Sequence, residues 1–156
     1  DYTAGCRMVW IDGTYYIIDI YAERLRASEV DRTADYMIRR AGEDAKRLGR
    51  RYFARWENEP GSASLRDSVA RSKRNPGYDA RGEPKRKDKL SSWAPLSAQA
   101  EIGNIKLLSG AWNSRFIDHM FAVPDAPHDD IADATAGAYN EIVRILDVKK
   151  AKSGQG

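Results

Sequence analysis

The sequence predicts an α/β protein opened by an antiparallel hairpin, on three observations. Two β-forming runs, residues 3–11 (TAGCRMVWI) and 14–21 (TYYIIDIY), flank Asp12-Gly13, a dipeptide suited to the positive φ angles of a tight hairpin turn. Apolar residues then recur at helical spacing from Val30 to Leu48. Beyond Leu48, short β-rich runs alternate with helical ones to the C-terminus, the pattern of a sheet covered by helices.

The elements follow in order. Ser28, with Asp31 three residues later, reads as a capping pair for a helix through Val30, Ala34, Met37, Ile38, Ala41, Ala45 and Leu48, stopped at Gly49. Arg51 to Trp56 reads as a strand running into Glu57-Asn58-Glu59-Pro60-Gly61-Ser62, a turn-forming cluster. A second helix is expected from Ser64, with Asp67 at capping distance, to Arg74, where Asn75-Pro76-Gly77 ends it. Tyr78 to Arg81 reads as a brief strand, Trp93, Leu96 and Ala100 as a short helix ending at Gly103, and Ile105 to Leu108 as a strand. Trp112, Phe116 and Met120 mark a helix closed by Pro124; Ile131, Ala134, Ala138, Ile142 and Ile145 mark the core face of a last one. Residues 1–148 then form one domain, and 149–156 a flexible polar tail. Trp10, Trp56, Trp93 and Trp112 sit mostly on apolar periodicities and are expected in the core.

Composition bounds the function. The chain has 156 residues, 42% of them apolar, and a formal net charge of only +3, so net charge does not by itself announce a polyanionic partner. Cys6 is the sole cysteine, which excludes an internal disulfide and suits a reducing cytoplasm. No apolar run of membrane-spanning length and no signal-peptide pattern occurs, so the expectation is a soluble protein with no membrane partner. Charge is uneven: from Arg71 to Lys89 there are eight basic residues (Arg71, Lys73, Arg74, Arg81, Lys85, Arg86, Lys87, Lys89) against Asp79, Glu83 and Asp88, a local surplus of five.

The strongest chemical signal is His128-Asp129-Asp130-Ile131-Ala132-Asp133-Ala134, which gathers three carboxylates at a helix start. Acids there complement the helix dipole, worth about 0.3–1 kcal/mol each. They are equally the hard oxygen ligands that a divalent cation takes. Glu57 and Glu59, where a strand runs into a turn, present further carboxylates at a sheet's edge or are ordinary turn residues; Glu59, before a proline, reads as the bystander. His128 reads as a local hydrogen-bonding residue rather than a ligand, and His119 carries no functional weight.

An ordered set of segments adds to this reading: Asp1-Tyr2-Thr3-Ala4-Gly5, Tyr15-Tyr16-Ile17-Ile18-Asp19, Glu57-Asn58-Glu59-Pro60-Gly61-Ser62-Ala63, Ala98-Gln99-Ala100-Glu101-Ile102-Gly103-Asn104, Trp112-Asn113, and His128-Asp129-Asp130 with Asp133-Ala134. In this order and spacing, nearly the whole chain resembles the C-terminal nuclease domain of the large terminase subunit of tailed phages and prophages. The resemblance implies a ribonuclease-H-like mixed sheet and a metal-dependent endonuclease that cuts concatemeric double-stranded DNA during genome packaging. It implies Mg²⁺ or Mn²⁺ as cofactor and Glu57, Asp129 and Asp130 as catalytic and metal-binding residues, with Asp133 a secondary ligand. The implied partners are double-stranded DNA, a portal protein, the small terminase subunit and an ATPase domain elsewhere in the full-length protein, in the cytoplasm of a bacterial host. No Gly-x-x-x-x-Gly-Lys-Ser/Thr motif occurs, so ATP hydrolysis is not expected of these residues.

One departure matters. The family's first catalytic aspartate lies on a strand just upstream of the Asp-Tyr-Thr-Ala loop, and the sequence opens at that loop, so an incomplete metal site and weak cutting are expected; Asp1 and Asp19 are poor substitutes. Two ions about 4 Å apart activate the water and stabilise the leaving oxygen in such a reaction. Arg71, Lys73, Arg74, Lys85, Arg86, Lys87 and Lys89 are the expected DNA-backbone contacts, because cations neutralise phosphates whatever the base sequence; the rival reading is a solvated loop. Rival functions are another ribonuclease-H-like enzyme, of resolvase or transposase type, and a non-catalytic module gripping DNA or the portal.

Overall fold

The computed structural model describes residues 2–85 and 88–154 and is α/β, with a mixed three-stranded sheet, a separate two-stranded sheet and five helices. Two compact units divide the chain: Asp1–Arg24 with Asp88–Gly156, and the intervening Leu25–Lys87.

The first unit begins with β1 (Thr3–Ile11) and β2 (Thr14–Glu23), antiparallel as predicted. Both turn residues have positive φ, 49° at Asp12 and 87° at Gly13, which matches the right-handed twist of the flanking strands. The pairing slips once: Arg7 faces Asp19 but Met8 faces Ile17, leaving Ile18 as an extra residue in β2. This bulge has a consequence that alternation alone hides. Tyr15 and Ile17 are buried, and after the extra residue the inward phase passes to Ile20 and Ala22, so the phase change keeps all four on the core side.

β5 (Ile105–Leu107) adds to β2 in parallel, giving the order β1-β2-β5. Helices α3 (Lys89–Glu101), α4 (Asn113–Ala122) and α5 (Asp130–Ser153) complete the unit. α5 lies along β1, and α3 and α4 pack on α5. Ala132, Thr135 and Ala136 are essentially without exposure, and such small side chains allow close approach of α5. Ile17, Phe116 and Ile131 form one core cluster and Tyr15, Leu96, Ala136 and Tyr139 another; burying an Ile or Phe side chain is worth about 1.5–3 kcal/mol.

The second unit holds α1 (Ala27–Arg47), β3 (Phe53–Asn58), α2 (Ser62–Arg74) and β4 (Asp79–Pro84), with β3 and β4 paired in parallel. Its core is Ile38, Ala54 and Ala80, with Tyr52, Trp56 and Tyr78 packed against them. A polar lattice ties α1 to the end of α2: Arg74 Nε donates to Asp35 at 2.7 Å, Asn75, 1% exposed, donates to Asp35 at 2.9 Å, and Arg71 donates to Asp31 at 2.7 Å.

Several boundaries differ from the sequence reading. α1 begins at Ala27, because the Glu29 carboxylate reaches back to the Arg26 amide at 3.0 Å; Asp31, read as part of a cap, pairs with Arg71 instead. α2 begins at Ser62 after Gly61, whose φ of 118° favours glycine. α3 begins four residues before Trp93, where the Asp88 side chain accepts from the Ser91 amide at 3.3 Å. The expected tail from residue 149 is helical as far as Ser153, since nothing between Asp147 and Ser153 interrupts a helix. Trp10, expected in the core, is 37% exposed at the end of β1, whereas Trp56, Trp93 and Trp112 pack against the cores.

Candidate metal and phosphate site

The first turn of α5 brings three of the predicted acids together with basic residues of the same unit. Asp129 is the N-cap, and Asp130 and Asp133 lie in the first turn. The Lys89 ammonium, on the first residue of α3, sits between two of them, 2.5 Å from Asp129 Oδ2 and 3.0 Å from Asp133 Oδ2. The hydrogen bond to Asp129, and then that to Asp133, hold the Lys89 pKa above its ordinary value, so the amine stays protonated. Asp133 also accepts from Trp93 Nε1 at 2.9 Å, which fixes its second oxygen. Asp130 turns elsewhere and accepts from the Tyr2 backbone N–H at 3.2 Å, tying the helix start to the beginning of the hairpin.

Two histidines flank this turn. His119 Nε2 accepts from the Ala132 N–H at 3.3 Å, a role that needs the ring nitrogen unprotonated. Partial burial lowers its pKa from the ordinary histidine value, against the opposing pull of Asp130 and Asp129. His128 lies edge-on to the Tyr2 ring, centroids 5.3 Å apart, with its Nε2 3.4 Å from an Arg24 guanidinium nitrogen. Arg24 and Arg115 lie 4.9 and 5.3 Å from the centroid of the same Tyr2 ring. The sequence expectation for His128 was a local hydrogen bond, whereas its contacts are with Tyr2 and Arg24, distant in sequence; these and Arg115 were missed, because their clustering joins the outer ends of β1 and β2 to α4 with no spacing pattern to betray it.

Glu57 is an exposed residue near the end of β3 in the second unit, in register with Glu83 of β4. Among the described residues, no group of three His, Cys, Asp or Glu side chains converges on a point that would hold a metal. What does converge is a pair: Asp129 and Asp133 already share one cation, the Lys89 amine. Mg²⁺ is commonly held by one or two carboxylates with several waters, so the pair fits one such ion in place of the ammonium. The two-ion arrangement is not assembled by these contacts.

The basic span is divided among elements rather than forming one loop. Arg71 pairs with Asp31 and lies 5.1 Å from the Trp56 ring centroid; Arg74 pairs with Asp35 and Asp31. Arg81 pairs with Glu83, and Lys85 with Glu59, each across less than 3 Å. Lys73 stands on the exposed face of α2 beside Leu65, Arg66, Val69 and Ala70, and Lys89 is held by Asp129 and Asp133. Arg86 and Lys87 lie outside the described residues.

The other quoted segments have structural roles. Gln99 accepts from Asn104 through both its carbonyl, at 2.9 Å, and its side chain, at 2.7 Å, closing the turn from α3 to β5 around Gly103. Asn113 accepts from Gly110 N at 2.8 Å and donates to the Leu108 carbonyl at 3.0 Å, bracing the entry to α4. No helix among the described residues is long and apolar enough to cross a membrane. Comparison with protein-family models and with curated proteins finds no match to the chain.

Proposed function

We propose that this chain is a ribonuclease-H-like, divalent-metal-dependent DNA endonuclease domain of the large-terminase type, acting on concatemeric double-stranded DNA during genome packaging. The observation that carries the reading is the convergence of Asp129 and Asp133 on one cationic centre, with Asp130 on the same helical turn. The ordered segments from Asp1-Tyr2 to Asp133-Ala134 support it independently.

In this reading Asp129 and Asp133, which now share the Lys89 ammonium, would hold Mg²⁺ or Mn²⁺. The bound ion supplies Lewis-acid stabilisation of charge on a phosphodiester. The Trp93 indole N–H keeps Asp133 oriented, and Asp130 is a further acid of the same helical turn. A portal protein, a small terminase subunit and an ATPase domain are the proposed partners, in a bacterial host's cytoplasm.

The test is a Mn²⁺ titration followed by calorimetry and by nicking of supercoiled plasmid. Millimolar Mn²⁺ is expected to bind the parent protein, and Asp129→Asn with Asp133→Asn to abolish that binding. Absence of binding by the folded parent at millimolar Mn²⁺ rules the enzyme reading out. Retained DNA binding would then favour the non-catalytic module.

A further inference from the structure

Tyr2 carries a pair of guanidinium groups. Arg24, just past the end of β2, and Arg115, on α4, lie 4.9 and 5.3 Å from its ring centroid, so the two cationic carbons are no farther apart than those two distances laid end to end. Bringing like charges together costs free energy unless something offsets it. The ring's quadrupole offsets part of that cost, at about 0.5–1 kcal/mol for each exposed contact.

The two arginines are not consumed by strong internal pairing. Arg115 donates to the Ala22 carbonyl at 2.6 Å and is 4.0 Å from Glu23, at the margin of an ion pair, with its side chain 48% exposed. Arg24 is exposed, one of its guanidinium nitrogens meets the His128 ring nitrogen, and among the described residues no carboxylate pairs with it. Planar forks of donors fixed this way suit an anion with several oxygens, and a phosphate is the common one.

The setting narrows the ligand. The Tyr2 backbone N–H donates to Asp130, so the guanidinium pair stands beside the acidic turn of α5 through one residue. A free anion gains little from a place next to carboxylates. One phosphodiester of a duplex is carried there by the contacts that the rest of its backbone makes, whatever the base sequence.

We propose that Arg24 and Arg115, stacked on Tyr2, form a clamp for a backbone phosphate of duplex DNA beside the α5 acids. The clamp rests on the nuclease reading for its ligand and adds a contact outside the basic span of residues 71–89. Its members are positioning residues: they fix where the strand lies relative to Asp130.

The test is fluorescence anisotropy of a short duplex in EDTA, measured over a salt series for the parent, Arg24→Gln, Arg24→Lys and the Arg24→Gln/Arg115→Gln pair. Each lost phosphate contact is expected to reduce the slope of log K against log salt by about 0.9, and Arg24→Lys to restore it. Arg115 also supports the Ala22 carbonyl, so thermal melting accompanies the pair; the exposed Arg24→Gln alone decides the matter where the pair does not fold. Parental slopes in folded variants, with the parent binding DNA, overturn the clamp and leave the nuclease reading intact. A parent that binds no duplex even at low salt overturns both.

Discussion

His119 accepts a backbone hydrogen bond at 3.3 Å from Ala132, and burial lowers its pKa from the ordinary 6.5, against Asp130, Asp129 and Asp133 and together with Arg115. The sign follows from proton uptake. As pH falls through 6.5 the unfolded chain protonates this histidine first, so its contribution to stability is full above that pH and declines below it. The melting temperature is therefore expected to fall between pH 7 and pH 5, and His119→Gln, which keeps an acceptor without titrating, to reduce that fall; thermal melts at the two pH values measure it. Asp35 acts in a lower window. Burial pushes its pKa up, but the hydrogen bonds from Arg74 and Asn75 and the charges of Arg74 and Arg39 outweigh burial and hold it below 3.8, so its stabilisation is lost only in more acidic solution. Cys6, by contrast, has its thiol pushed up to about 12 by burial and stays protonated at neutral pH, which makes it a packing residue and not a nucleophile.

Elements in the second unit meet with little clearance. Trp56 Nε1 donates to the Ser68 hydroxyl at 2.9 Å, joining β3 to α2, and β4 passes directly beside them. A methyl group added at Gly82 would overlap both the Ser68 hydroxyl and the Asn58 side-chain amide. Gly82→Ala is thus expected to cost about 1–3 kcal/mol, the usual range for overpacking, read as a lower urea midpoint at unchanged slope. An unaltered midpoint would mean that the contact between α2 and the strands relaxes freely. In the first unit the corresponding device is the Ile18 bulge, which lets one strand present Tyr15 to one core cluster and Ile17, Ile20 and Ala22 to the other.

At the scale of the molecule, the second unit is one continuous segment with its own core and its own ion-paired lattice, while the first is built from two separated segments. Residues 25–87 are expected to fold when produced alone, with marginal stability because so short a chain buries little surface. Helical circular dichroism, with a cooperative melt and slow exchange of the Ala54 and Ala80 amides, would show it. A non-cooperative melt would mean that this core needs the remainder of the chain. The sequence reading placed the strands in one mixed sheet, and they form two, because β3 and β4 look like any other strands until their partners are known.

Much of the fold was legible in the residues. Asp12-Gly13 fixed the hairpin because few other dipeptides tolerate two positive φ angles, and the strands and helices fell near their predicted places because apolar periodicity reports burial directly. Asp129, Asp130 and Asp133 stood out because acids crowd a helix start only for dipole or cation. Only the tertiary structure decided their partners. Lys89 lies 40 residues from Asp129 and belonged, by sequence, to a basic run; its place between two carboxylates comes from α3 packing on α5. Tyr2, Arg24 and Arg115 meet through a hairpin and a helix that share no periodicity. Local sequence sets which side chains point inward, through repeats of two and of 3.6 residues; which inward faces and which charges meet depends on long-range packing, and that no local pattern encodes.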